Sequence, residues 1–220
     1  RMIDSSPRLR AKITENARDK SNSVGMKDFP GGVLVIAGAN SAAELKSMPV
    51  RYLFEDELDE FPDDVDGQGP ADELAEKRTD TFTRKKIFRT STPTVKGRSK
   101  IWRHFERGDK RRYYVPCPHC AKDQVLEWDQ MRWETRKVHE LTQADTGEIS
   151  EVPAGTPGAV ERNTGDLLAV WYQCMHCESR IEEHEKTAML ANGHWIAEVP
   201  GLGKAASFHL SALYSPLGWL

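Results

Sequence analysis

The chain has 220 residues, of which 38% are hydrophobic and 30% charged, enough for one substantial domain or two small ones with a proper core. No apolar run reaches the roughly 18 residues of a membrane-spanning helix, and the opening Arg1-Met-Ile-Asp-Ser-Ser-Pro7 lacks the apolar region of a secretion signal, so the expected compartment is the cytoplasm. A net charge of −3 conceals a sharp segregation: residues 55–76 hold eleven acids and no base, and residues 77–112 hold fourteen bases against three acids.

In chain order, residues 8–19 form a charged segment of helical character. Gly31-Gly-Val-Leu-Val-Ile-Ala37 is short, apolar and β-branched, and reads as a buried strand. It runs into Gly38-Ala-Asn-Ser-Ala-Ala-Glu-Leu45, where Ser41 and Glu44 have capping-box spacing for a helix start. Residues 50–54 predict a second strand ending at the acidic cluster, and residues 62–70 a loop. A helix from 71 to about 81, a third strand over 86–89 and a helix over 99–107 follow. Strands alternating with helices predict a mostly parallel α/β sheet.

From Tyr113 the character changes. Cys117-Pro-His-Cys120 and Cys174-Met-His-Cys177 contain all four cysteines. A two-residue gap lets both thiolates of a pair grip one ion, and two such knuckles complete a tetrahedral Zn²⁺ site. Two disulfides would suit a secreted domain, and a redox pair would leave the second Cys-x-x-Cys without a role; zinc is the favoured reading. Short strands are expected over 124–128 and 131–133. Of the 53 residues between the knuckles, 141–165, rich in Gly, Pro, Thr and acids, read as a flexible loop. Residues 167–172 deliver the second knuckle, 182–191 predict a helix and 194–199 a closing strand. Trp128, Trp133 and Trp171 are expected to fill a small core around the metal. His119 and His176 read as polar knuckle residues. The last residues, Phe208 to Leu220, carry apolar positions that await a partner, and the whole reads as a fragment.

Chemistry is concentrated at Glu55-Asp-Glu-Leu-Asp-Glu60, directly after an apolar strand. In nucleotide-hydrolysing α/β folds such a strand ends in Asp-Glu, the Asp holding Mg²⁺ and the Glu polarising water. The next strand ends in Thr90-Ser-Thr-Pro-Thr94, whose hydroxyls could sense a γ-phosphate at the same sheet edge. The basic stretch after it can track phosphates, with Lys77, Arg84, Lys85, Lys96, Arg98, Lys100, Arg111 and Arg112 as the DNA-binding candidates. The plain alternative is an acidic solvated loop beside solvated helix faces.

Together these residues resemble the GpA-type large terminase subunit of tailed phages, the motor that packages DNA into a capsid. The resemblance rests on Phe29-Pro-Gly-Gly32, Gly38-Ala-Asn-Ser41, Val50-Arg-Tyr-Leu-Phe-Glu-Asp-Glu57 with Asp59 and Pro62, and Glu76-Lys-Arg-Thr79. Ser91-Thr-Pro-Thr-Val-Lys-Gly97, the first knuckle, Phe208-His-Leu210 and Leu213-Tyr-Ser-Pro216 complete it. It implies ATP, Mg²⁺ and Zn²⁺ as cofactors. Asp56 would match the Walker B aspartate and Mg²⁺ ligand, and Glu57 the catalytic glutamate. Arg78 would be a charge-stabilising arginine, and Ser91, Thr92 and Thr94 the coupling motif. Residues 1–112 would be the C-terminal half of a P-loop-type, mostly parallel ATPase sheet. Residues 113–199 would be a small zinc-ribbon-like β segment, and 200–220 a linker toward a nuclease domain. Implied partners are double-stranded DNA, a small terminase subunit, the capsid portal and further copies of the chain.

Three features depart from the pattern. No Gly-x-x-x-x-Gly-Lys-[Ser/Thr] occurs, so the segment alone should not hydrolyse ATP. Glu55 stands where an apolar residue suits the strand, so the strand should end at Phe54 or Glu55 should face water. Arg89 interrupts a buried strand end and is expected at phosphate or the sheet rim. Asp59-Glu60 is a second acidic pair, set too far from the strand to be favoured. A non-enzymatic zinc-ribbon module and a helicase-type ATPase remain the alternatives.

Overall fold

The computed structural model describes residues 5–13, 23–201 and 205–219. The chain divides into two compact units, Arg1–Arg103 and His104–Leu220, each mixing helices with strands. In the first, α1 (Pro7–Arg10) is a single turn; from residue 14 the helix expected over 8–19 lies outside the described residues. The run 31–37 is not a buried strand. Gly31, at φ +95°, turns the chain so that β1 (Met26–Phe29) and β2 (Gly32–Val35) form an antiparallel hairpin, Phe29 opposite Gly32. Val33, Leu34 and Ile36 are exposed. Apolar β-branched residues specify extended backbone but not what covers it.

Ser41 caps α2 (Ala42–Leu45), its hydroxyl accepting from the Glu44 N–H at 3.3 Å. The Glu44 carboxylate passes Ser41 and accepts from the Gly38 N–H at 2.9 Å, so the reciprocal half of the box is displaced upstream. β3 (Tyr52–Glu55) and β4 (Lys86–Arg89) pair in parallel, with Phe54 opposite Phe88 and Glu55 opposite Arg89. The crossover between them carries α3 (Ala71–Glu76), continued by a 3-10 turn, Lys77–Thr79, that ends just short of the expected stop near 81. Ala42, Val65, Ala71 and Leu74 form this unit's apolar cluster, with Ala39, Leu45 and Phe61 against it. Among the described residues the unit's parallel sheet comprises β3 and β4 alone.

After α4 (Lys100–Arg107) the second unit is built from β5 (Arg111–Pro116), β6 (Asp123–Gln124), β7 (Met131–Thr142), β8 (Ile149–Val152), β9 (Val160–Gln173), β10 (Arg180–Ile181), α5 (Glu183–Ala191), β11 (His194–Ala197) and β12 (Phe208–His209). One sheet centres on β5, antiparallel to β11 and β6 and parallel to β12. The other runs β10-β9-β7-β8. The flexible loop expected over 141–165 is instead strand and turn: β7 and β9 extend as an antiparallel arm, with β8 folded onto the end of β7. Its Gly and Pro punctuate two turns, and its charged residues pair across strands, as Lys137 does with Glu161 at 2.7 Å. A polar strand exposed on both faces shows no hydrophobic alternation and so reads as loop.

The second core joins both sheets' inner residues, including Val115, Met131, Tyr172 and Ile181, to Leu213, Tyr214 and Trp219. Leu213, Tyr214 and Trp219 therefore pack within the second unit. Trp219 stacks on Tyr172 at 5.4 Å between ring centroids. Tyr214 donates to the Tyr113 carbonyl at 2.6 Å and accepts from the Leu126 N–H at 2.8 Å. Trp128 and Trp133 do not fill this core; both are exposed. Tyrosines take the role because each hydroxyl finds a backbone partner while the ring is buried. Close packing gives one direct expectation. A Cβ at Gly193 would lie 2.4 Å from the Tyr113 ring and 2.8 Å from the Tyr114 carbonyl oxygen. Gly193→Ala should therefore destabilise the second unit by about 1–3 kcal/mol, read as a lower denaturant midpoint with an unchanged slope.

Candidate functional site

The expected site begins at the end of β3. The strand runs through Glu55, which is buried at 2% exposure, so both readings of this residue are corrected: the strand does not stop at Phe54, and Glu55 does not face water. Arg89 is corrected with it. Its guanidinium is committed to Glu55 at 2.5 Å and Glu76 at 2.7 Å. The two off-pattern charges answer one another across the parallel pair. Burial pushes the Glu55 carboxyl up, Arg89 opposes it, and the net value is about 7.

This carries a pH dependence. A carboxyl raised in the folded state contributes stability below its ordinary value of 4.5 and loses it as pH climbs toward 7. Glu55→Gln cannot ionise and should abolish that loss. Wild type should fall behind the variant by about 2–3 kcal/mol between pH 5 and pH 8. Parallel pH profiles of the denaturation midpoints would show that Glu55 is not the group responsible.

Past Glu55 the chain leaves the sheet. Asp56 and Glu57 are both exposed, and Glu57 sits in the left-handed region at φ 53°, ψ 50°. A non-glycine residue held there costs of order 1–3 kcal/mol and is found preferentially at functional sites. The turn is fixed from behind by Leu58, which is fully buried. The Leu58 N–H donates to the Thr90 carbonyl at 3.1 Å, and the Thr90 N–H to the Glu55 carbonyl at 2.9 Å. The acidic turn and the start of the Ser91–Thr94 segment thus lie side by side at the C-terminal end of the parallel pair, where open α/β folds bind ligands.

The hydroxyls of that segment are engaged locally. Ser91 accepts from the Asp59 N–H at 3.1 Å and donates to the Thr92 carbonyl at 3.2 Å, and Thr94 donates to the Asp59 carboxylate at 2.8 Å. Thr92 is exposed. Arg78, half-buried, donates to the Lys46 carbonyl at 3.0 Å. Of the basic candidates, Lys77, Arg84, Lys96 and Arg98 are exposed, as is Lys85, which pairs with Asp80 at 2.6 Å. Lys100 is 6% exposed and its ammonium is committed to the Phe61 carbonyl and Asp63, so it offers no charge to DNA. In the second unit Arg111 pairs with Asp109 at 2.8 Å and Arg112 with Glu198 at 2.6 Å.

The four thiols converge. Their sulfurs all lie within 4.8 Å of one another, with Cys117 to Cys177 at 3.8 Å and Cys120 to Cys174 at 3.9 Å. These spacings rule out disulfides, which need about 2.05 Å. They match the edge of a sulfur tetrahedron around zinc, about 3.8 Å for Zn–S of about 2.3 Å. The knuckles are alike: His119 N–H donates to Cys117 Sγ and His176 N–H to Cys174 Sγ, each at 3.4 Å. The residue after each knuckle, Ala121 or Glu178, takes a positive φ of 60° or 61°. His119 Nε2 meets the Arg180 carbonyl at 2.9 Å and His176 Nε2 the Asp123 carbonyl at 3.0 Å. The imidazoles latch each knuckle to the strand that follows the other. All donors fit one soft cation.

Residues 1–195 match the family described as the phage terminase large subunit gpA, ATPase domain. The chain belongs to that family. It is 25% identical over 225 residues to the terminase large subunit of Enterobacteria phage P21, covering 90% of this chain and 30% of the relative. To the terminase large subunit of Escherichia phage lambda it is 26% identical over 194 residues, covering 84% and 25%. The chain thus spans under a third of the curated relatives it matches. No solved structure gives a match. Among the described residues no helix is long and apolar enough to cross a membrane.

Within this terminase ATPase segment, sequence reasoning passed over the Glu55–Arg89 pair, although opposite charges at the ends of two consecutive strands were a usable signal. It also set aside Asp59, whose partners lie more than thirty residues away in sequence.

Proposed function

We propose that the chain is the C-terminal part of the ATPase of a viral DNA-packaging motor, coupling ATP hydrolysis to movement of double-stranded DNA into a capsid. One observation carries this: an exposed Asp56-Glu57 turn, left-handed at Glu57, at the C-terminal end of a parallel strand whose neighbour leads straight into Ser91–Thr94. Asp56 would hold Mg²⁺ through its water shell and Glu57 would orient the attacking water. ATP would be held by a phosphate loop contributed from elsewhere in the full-length protein, and the segment alone would be inactive. A wider P-loop-type sheet is supported by the outer face of β3 and β4, where Tyr52, Phe54 and Phe88 are exposed. Parallel strands are covered on both faces in such folds.

The reading keeps residues 1–112 as ATPase and 113–199 as a zinc-ribbon-like segment. The relatives' greater length suits a nuclease domain beyond it. Zn²⁺, held by Cys117, Cys120, Cys174 and Cys177, would supply structure and no catalysis. Lys77, Arg84, Lys85, Lys96 and Arg98 on the first unit, and Arg111 and Arg112 on the second, would contact DNA phosphates, with affinity falling steeply in salt. Arg78, with its guanidinium on the Lys46 carbonyl, would brace the turn after α3. A small terminase subunit, the portal and further copies of the chain would be partners in the host cytoplasm. The test is ATP turnover of the full-length protein with and without double-stranded DNA. A rate raised by DNA supports the motor; DNA binding without turnover would make the segment a zinc-bearing binding module, and strand separation would make it a helicase.

A further inference from the structure

We propose that Asp59 is the positioning residue that joins the Asp56-Glu57 turn to the Ser91–Thr94 segment and to the start of α4, so that a shift of the acidic turn is passed on as one rigid piece. The inference rests on the motor reading and adds to it the residue through which coupling runs. Asp59 Oδ2 accepts from the Thr94 N–H at 2.9 Å and from the Thr94 hydroxyl at 2.8 Å. Its Oδ1 accepts from the Ile101 N–H at 2.8 Å, in the first turn of α4. Its own N–H donates to Ser91 Oγ at 3.1 Å. One residue thus gathers both ends of the coupling segment and a helix N-terminus, its carboxylate holding Thr94 and Ile101 and its backbone N–H holding Ser91, from a position two residues past Glu57.

A carboxylate suits the task. It accepts several hydrogen bonds at once, and charge-assisted bonds are shorter and stronger than neutral ones. The negative charge also lies at the positive end of α4. Burial acts to raise the Asp59 pKa, but the bonds from Ile101, Ser99 and Thr94 outweigh it and hold the value near 2, so the anchor is ionised wherever the protein works. Ser91 and Thr94 are correspondingly turned onto Asp59 and its neighbours. In this geometry they read the position of the acidic turn, and direct contact with a nucleotide is not required of them.

The experiment uses the full-length protein and two readouts taken together: ATP turnover with double-stranded DNA, and base pairs moved per ATP hydrolysed. Asp59→Asn keeps the volume but removes one acceptor oxygen and the charge; Thr94→Val removes only the hydroxyl. Both should lower the base pairs moved per ATP by about 10- to 100-fold, the scale of a small misplacement, and by more than they lower turnover. Thr94→Ser should restore coupling. Equal loss of both readouts, or loss of neither, overturns the proposal. If Asp59→Asn does not fold, Thr94→Val and Thr94→Ser decide alone. Glu57→Gln, run alongside, separates the two readings: if it leaves turnover intact the catalytic assignment of the Asp56-Glu57 turn fails. If it abolishes turnover while Thr94→Val leaves coupling intact, only the role of Asp59 fails.

Discussion

Glu57→Gln in the full-length protein is expected to lower DNA-stimulated ATP turnover by at least ~10²-fold, the scale of a positioned general base. The substitution keeps the side-chain volume and the exposed position at the turn, and removes the charge, one acceptor oxygen and with them the ability to accept a proton. Glu57 lies outside both apolar clusters, so the fold and the metal content should be untouched. The backbone adds a second handle. Because Glu57 is held at φ 53°, Glu57→Gly relieves strain while deleting the carboxylate. It should therefore lose turnover as fully as Glu57→Gln while folding at least as well. Unaltered turnover in Glu57→Gln would remove this residue from the chemistry.

Removing the metal should have the largest effect on structure. Cys117 and Cys174 are both buried members of the second unit's core, so their thiolates are framework as well as ligands. Structural zinc contributes on the order of 10–16 kcal/mol in small zinc domains at neutral pH, more than most domains hold in reserve. Cys174→Ser, or a strong chelator, should therefore unfold the second unit. Loss of near-ultraviolet dichroism from its tyrosines and tryptophans, with thiols newly reactive, would report this. Native mass spectrometry should find one zinc per chain in wild type and none in Cys174→Ser. A second unit that keeps its melting transition without metal would make the four thiols a mere cluster.

What could be read from the residues follows the range of the interactions involved. The strand over 86–89, the helix before it and the two knuckles are local patterns, and the structure has them nearly where expected. The knuckle spacing fixes a chelate whatever surrounds it, so four thiols converge although 53 residues separate the pairs. The hairpin at Gly31 was missed because an apolar run does not state its partner. The arm was missed because its strands are polar on both faces. At the candidate site, the Asp-Glu turn was legible as a motif. Glu55 was not, since its meaning lies in a register with Arg89 that only the parallel pairing supplies. Asp59 was the hardest: nothing near it in sequence marks a carboxylate that collects donors from Thr94 and Ile101.

The β7–β9 arm has a consequence for how this chain can vary. Its pairing is interrupted between Glu134 and Lys137, so the ladder near Tyr172 and the ladder farther out are separate stretches. The inner stretch is tied off by the four thiols and the buried Tyr172 ring; the outer stretch is held by surface pairs such as Lys137–Glu161, worth little individually. Closing a longer excursion costs only about 0.6 kcal/mol per doubling of its length. The neck is therefore a fixed socket and the arm an interchangeable attachment, free to grow, shrink or change its surface without disturbing the thiols beneath it.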